Sequence, residues 1–189
     1  MKLTKSIDRD CRCLENYFHK QFDLMQVVLA EEEAAPIEVE DADADESQAT
    51  YHGFSHLIKP DMLMNIYSLV DFWMKEVCDY QKSKRKLRLK YKDIKGKDEL
   101  HGYHKYLTLY AAIDLTAVQD SYRQLDGLRQ VRNRFIHHGG YVPSGQESKY
   151  SSIEGISVSV FTSLIAIEDD YVWVTLEHAK KYLHTAAMA

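Results

Sequence analysis

Apolar residues in the first thirty positions recur at three- and four-residue steps: Leu3, Ile7, Leu14, Tyr17, Phe18, Phe22, Met25, Val28 and Leu29. That spacing gathers them on one face and predicts an amphipathic helix over about 3–30. From Glu31 to about residue 50 the pattern stops. Nine carboxylates fall between Glu31 and Glu46 with no Lys or Arg among them. Mutual repulsion and missing apolar anchors predict a mobile acidic loop over 31–50. It reads either as a solvated linker or as an arm that covers a basic surface by imitating nucleic acid. Pro60 then opens a second helix, because proline is tolerated in a first turn and Asp61 suits the positive pole. Met62, Leu63, Ile66, Leu69, Val70, Trp73, Met74 and Val77 give it a broad apolar face, as expected of a central core helix. Two more helical patterns span about 98–116 and 118–138, and Gly139 and Gly140 end the second of these, since glycine takes left-handed caps readily.

The period changes near the end. The run GISVSVFTSLIAIEDDYVWVTL is rich in β-branched residues. It predicts two or three short strands, with a hairpin turn at Asp169 and Asp170. A short helix then closes the chain. The expected fold is mainly α: one domain over 1–189, an antiparallel helical bundle, with a small C-terminal β-hairpin and short helix over 153–189.

Composition supports an ordinary core. The chain has 189 residues and 45% hydrophobic content, enough to fold without metal or disulfide staples. The net charge of -5 argues against general affinity for polyanions. Its distribution matters more. Lys82, Lys84, Arg85, Lys86, Arg88, Lys90, Lys92, Lys95 and Lys97 face one acid, Asp93, within a single stretch. That stretch is a candidate phosphate-binding strip, or a solvated helix end whose cations sit at the negative pole. Leu87, Leu89 and Tyr91 alternate with the basic residues, so part of it can be extended. Cys11, Cys13 and Cys78 form an odd set without framework spacing, which points to a reducing compartment. The N-terminus has no apolar core of a signal peptide, and no window reaches the roughly 20 apolar residues of a membrane helix. The expectation is a cytoplasmic protein that does not enter a membrane.

The string QVRNRFIHHGGY, residues 130–141, carries the most chemistry. With Arg132 at zero and about 100° per residue, Leu128 and Phe135 fall at roughly 320° and 300°, and Leu125 and Ile136 at roughly 20° and 40°. Arg132 is therefore expected within the apolar arc, where a guanidinium needs a carboxylate, a phosphate or a polar interface. Asn133 and His137 fall about 100° and 140° away, one turn apart on a neighbouring face. Periodicity alone also allows a purely structural arrangement, with Arg132 on a core carboxylate and His137 capping the helix.

Arg132, Asn133 and, after three residues, His137, at the end of a long helix and followed by glycines, resemble the signature of the HEPN (higher eukaryotes and prokaryotes nucleotide-binding) family. The likeness spans roughly residues 55–140. It implies an antiparallel bundle that dimerises with its motif helices close together. Many members are metal-independent endoribonucleases of toxin, defence or RNA-processing systems. The resemblance implies that Arg132 holds the scissile phosphate, His137 transfers protons at the ribose 2′-OH or leaving 5′-oxygen, and Asn133 orients one of them. Arg134 and His138 form a second pair, four residues apart and too close to be the motif itself, with His138 a candidate to assist or replace His137. One toxin branch carries a modified Tyr two residues after the motif His; Gly139 stands there in this chain, and the nearest Tyr is Tyr141. RNA, a second copy of the chain, and an antitoxin or regulatory protein are the partners implied; no cofactor and no metal are.

Other groupings are weaker. His101 and His104 share a helical face near Asp98 and Glu99, as a metal site would require, but no full ligand set is evident and surface polarity accounts for them. The same holds for His52 and His56. Tyr103, Tyr106 and Tyr110 form a stripe suited to core or dimer packing, or to stacking bases. Phosphate-loop, dinucleotide and serine-hydrolase motifs are absent. The leading expectation is an RNA endonuclease guided by Lys82, Lys84, Arg85, Lys86, Arg88, Lys90 and Lys92. The alternatives are a non-catalytic module binding RNA, a nucleotide or a protein, and a structural dimer.

Overall fold

The computed structural model describes residues 2–33 and 43–189, with side chains over 2–27, at 30 and over 57–189. Four long helices make the body: α1 (Lys2–Glu33), α2 (Asp43–Arg85), α4 (Gln119–His138) and α6 (Asp169–Met188). Two short helices, α3 (Glu99–Lys105) and α5 (Glu147–Ser151), lie in the connections. A two-stranded antiparallel sheet, β1 (Ile156–Val158) and β2 (Ile165–Ile167), precedes α6. The expected mainly α bundle with a small hairpin is the observed architecture.

Contacts along the helices fix their directions. Lys59 reaches the Ile167 carbonyl and Asp169 at the start of α6, and Gln81 donates to the Ala186 carbonyl at its end, so α2 and α6 run the same way. His184 meets Asp8 while His19 and Phe22 stack on Trp173, so α1 runs against α6. Ser121 meets His178 and Gln124 meets Thr175, so α4 runs against it too. The long helices thus alternate in direction along the chain, and α6 touches the other three. Ile66, Met74, Val77, Leu125, Leu128, Val172, Tyr182 and Leu183 are among the buried residues that fill the space between them.

Three expectations are corrected. α2 starts at Asp43, and Pro60 lies inside it. Pro60 removes one donor but leaves the following turns intact. The expected loop over 31–50 is therefore helical to Glu33 and again from Asp43, while 34–42 lie outside the described residues. His52 and His56 lie on α2, outside the described side chains.

The hairpin does not turn at Asp169 and Asp170. It turns between Val158 and Ile165, with Ile156 opposite Ile167, and the two aspartates form the first turn of a 20-residue helix. Carboxylates at the positive pole start that helix, and Tyr171, Val172, Thr175, Leu176, Ala179, Tyr182, Leu183 and Ala186 bury one of its faces. The run YVWVT has strand-like propensity, and burial against three helices overrides it.

The third helical pattern is shorter than expected. α3 passes into a wider, π-type turn over Tyr106–Tyr110 and stops before Ala112, whose φ is 51°. The basic stretch leaves α2 at Lys86, φ 54°, and runs on irregularly to a single 3-10 turn at Tyr91–Asp93. Among the described residues no helix is long and apolar enough to cross a membrane.

Candidate functional site

Helix α4 positions the motif. Its buried residues are Ser121, Leu125, Gly127, Leu128, Val131 and Arg134. The buried stripe thus passes beside Arg132 rather than through it. Arg132 is half-buried, Arg134 is the guanidinium that goes under, at 8% exposure, and Ile136 faces outward at 44%. This reverses the helical-wheel expectation. The apolar arc was centred without knowing that Tyr150 of α5 covers the other side of the helix end, with the Arg134 guanidinium 5.8 Å from its ring centre. Arg134 Nε is buried without a hydrogen-bond partner among the described residues.

The end of α4 is built tightly. Gly139 adopts φ 58° and its N–H donates to the Phe135 carbonyl at 2.9 Å, while the Gly140 N–H reaches the Arg134 carbonyl at 3.2 Å. Two carbonyls of the last turn are thereby satisfied, as the glycines predicted. Gly140 also accepts from the Ile165 N–H, and Val142 donates to Ser163, so the hairpin is pinned to the motif helix.

Arg132 opens onto a cleft of about 380 Å³ lined by Tyr67, Ser68, Asp71, Asp98, Glu99, Arg129 and Asn133. Its Nη1 donates to Asn133 Oδ1 at 2.8 Å, and the guanidinium sits 5.1 Å from the Tyr67 ring centre. Burial pushes the Tyr67 phenol up to about 12, so it stays protonated and supplies a neutral face. Among the described residues no carboxylate pairs with Arg132. Arg129 differs: it is nearly buried and bonded to both Asp126 and Asp98, at 2.9 and 3.3 Å. Asp98 also caps α3 through the His101 N–H at 2.8 Å. Asp71 accepts from Tyr103 at 2.9 Å and from Lys75 at 2.5 Å.

His137 and His138 are exposed at the end of α4, with ring centres 6.4 Å apart, and neither lines the cleft. Asn133 serves Arg132, not His137. Five residues advance a helix by about 7.5 Å and turn it by about 140°. One chain therefore brings Arg132 and Asn133 together and leaves both histidines outside their cleft.

Of the basic strip, Lys84, Arg85, Lys86, Arg88, Lys90 and Lys92 are exposed and Lys82 is half-buried. Lys84 and Arg85 donate to the Ala189 carbonyl. None of the seven forms an ion pair among the described residues. The strip meets the cleft through Lys92. That residue lines an adjoining hollow of about 620 Å³ with Lys75, Tyr91, Gly96 and Tyr103, and both spaces are bordered by Asp98 and Glu99.

The expected surface role of His101 and His104 is corrected. His104 Nδ1 lies 2.7 Å from the Tyr182 hydroxyl and its ring stacks on Tyr122, whose hydroxyl is 3.2 Å from His101 Nδ1. Both imidazoles belong to a partly buried aromatic network, and burial lowers the His104 pKa, with His101 adding repulsion. Tyr103 and Tyr106 pack in the core as expected, and Tyr110 is 41% exposed. Cys11 and Cys78 are buried, Cys13 is exposed, and all three thiols are free. Burial pushes the Cys11 thiol up to about 11.

The sequence reading missed Tyr67, Asp71, Glu99 and Arg129 as cleft residues. Tyr67, Asp71 and Lys75 stand at four-residue steps on α2, a readable polar stripe. Its meeting with Asp98 and Glu99 depends on how the 86–98 connection folds back.

No protein-family model, no curated protein and no solved structure matches this chain.

Proposed function

We propose that the chain is a metal-independent RNA endonuclease of the HEPN type that works as a homodimer. The observation that carries this reading is the state of Arg132: half-buried, steadied by Asn133 and Tyr67, open to a cleft, and paired with no carboxylate among the described residues. A guanidinium held this way is ready for a phosphate. His137 stands exposed at the end of the same helix, free to meet a substrate held against a second copy.

In the proposed reaction Arg132 neutralises the scissile phosphate. One His137 accepts the 2′-OH proton as the 2′-oxygen attacks phosphorus, and the His137 of the second copy protonates the leaving 5′-oxygen. The products are a 2′,3′-cyclic phosphate and a 5′-hydroxyl. His138, with its ring centre 6.4 Å from that of His137, is a candidate to assist or replace it. The basic strip guides the RNA, and a regulatory protein acting as antitoxin has to cover the Arg132 cleft or the exposed histidines.

The test is cleavage of labelled RNA by purified protein in chelator. His137→Ala and Arg132→Ala are each expected to slow it roughly 10²-fold or more. Equal cutting by wild type and His137→Ala refutes the catalytic role.

One observation favours a non-catalytic reading, in which the chain binds RNA, a nucleotide or a protein. Among the described residues none of the seven cations of the strip has a carboxylate partner, whereas the cleft holds three carboxylates. RNA binding then survives His137→Ala and weakens steeply with salt.

A further inference from the structure

Two of the three carboxylates lining the cleft are already engaged. Asp71 uses one oxygen for Tyr103 and the other for Lys75. Asp98 uses one for the α3 cap and the other for Arg129. Glu99 has no hydrogen-bond or ion-pair partner among the described residues and is exposed. It stands where the Arg132 cleft and the adjoining 620 Å³ hollow meet. Among the described residues the combined space therefore offers one carboxylate without an ion-pair partner, Glu99, and two such cations, Arg132 in the cleft and Lys92 in the hollow. Across the hollow Tyr91 presents a half-exposed ring braced edge-on by Tyr103, 5.3 Å between centres, with Lys92 5.7 Å from the Tyr91 centre.

A ligand matching this arrangement carries an anionic group, a flat ring to stack, and N–H donors at the far side of that ring. A nucleotide has all three. The bases differ in what they offer a carboxylate. Guanine presents two adjacent N–H donors on its Watson–Crick edge, which fit the two oxygens of a carboxylate as a guanidinium does. Cytosine and adenine each offer an exocyclic amine beside an acceptor, and uracil offers a single ring N–H between two carbonyls that Glu99 repels.

We infer that this hollow is a base-reading subsite for guanine, with Glu99 as the specificity-determining residue and Tyr91 as the stacking surface. The inference rests on the proposed role of Arg132 as the phosphate ligand, and places a guanine next to the phosphate that Arg132 holds.

Calorimetric titration of the full chain with the four 5′-mononucleotides tests it, alongside mapping of cut sites on a mixed-sequence RNA. GMP is expected to bind roughly tenfold or more tightly than UMP, as a bidentate contact discriminates. Glu99→Gln removes that preference while UMP binding stays, and Arg132→Ala weakens all four nucleotides alike. Because Glu99 is exposed, its variant folds as the parent does, which a thermal melt verifies. Equal affinity for the four nucleotides, a guanine preference that survives Glu99→Gln, or the absence of mononucleotide binding each overturns the inference. His137-dependent cutting without guanine at the cut sites leaves the nuclease standing and removes the subsite. A Glu99-dependent guanine preference in a protein that cuts no RNA does the reverse.

Discussion

Replacing Gly140 by Ala is expected to destabilise the protein clearly more than replacing Gly139, although the two are neighbours with positive φ. Gly139 has φ 58° and open space around its missing side chain. Ala there meets only the left-handed penalty of about 1–2 kcal/mol, offset by roughly 0.4–1 kcal/mol from a less flexible unfolded chain. The net loss is about 1 kcal/mol. Gly140 has φ 83°, and a Cβ there would lie 2.5 Å from Phe135 Cε1 and 3.0 and 3.1 Å from two further ring atoms. Backbone cannot yield, because Gly140 is bonded to Arg134 on one side and Ile165 on the other. The ring has to move, adding about 1–3 kcal/mol of overpacking. A total of about 2–4 kcal/mol lowers the melting temperature by roughly 5–15 °C in a chain of this size. Thermal melts of the two variants read the difference, and Phe135→Leu in the Gly140→Ala background should recover part of the loss. If the chain is the nuclease proposed above, the substitution should also slow RNA cutting, because His137 and His138 ride on this turn. If Gly140→Ala proves as stable as Gly139→Ala, the close approach of the Phe135 ring is not real and the argument fails.

Two further outcomes follow from buried charge. Burial lowers the His104 pKa below its ordinary value of 6.5, so protonation favours the unfolded chain. The stability tied to neutral His104 is present above about pH 6.5 and is lost as pH falls through the lowered folded value. Melting temperatures from pH 7.5 to 5 should therefore fall in wild type and flatten in His104→Gln; equal slopes refute this. Arg134 is 92% buried with an Nε unpartnered among the described residues, so Arg134→Met should be neutral or stabilising by about 1 kcal/mol. A comparable drop in melting temperature would show that its stacking on Tyr150 outweighs desolvation.

The helical patterns around 3–30, 62–77 and 118–138 were legible because a face that must be buried repeats at the helical period whatever it is buried against. The same logic marked Gly139 and Gly140 as a helix end, where a left-handed φ excludes most side chains. It failed over YVWVT, where local strand propensity lost to burial between α1, α2 and α4. It also failed at Pro60, since a proline marks a first turn only when no helix precedes it.

The sequence by itself determined that the chain is a mainly helical bundle and that Arg132, Asn133, His137 and His138 end its motif helix, because periodicity and helix-end chemistry are local. Tertiary structure decided which of the arginines went under: α5 covers Arg134 and leaves Arg132 at the rim. It also decided that Glu99, far from the motif in sequence, lines the same cleft as Arg132, with no hydrogen-bond or ion-pair partner among the described residues. Those outcomes depend on how separate segments fold against one another, and no pattern along one helix encodes what lies across from it.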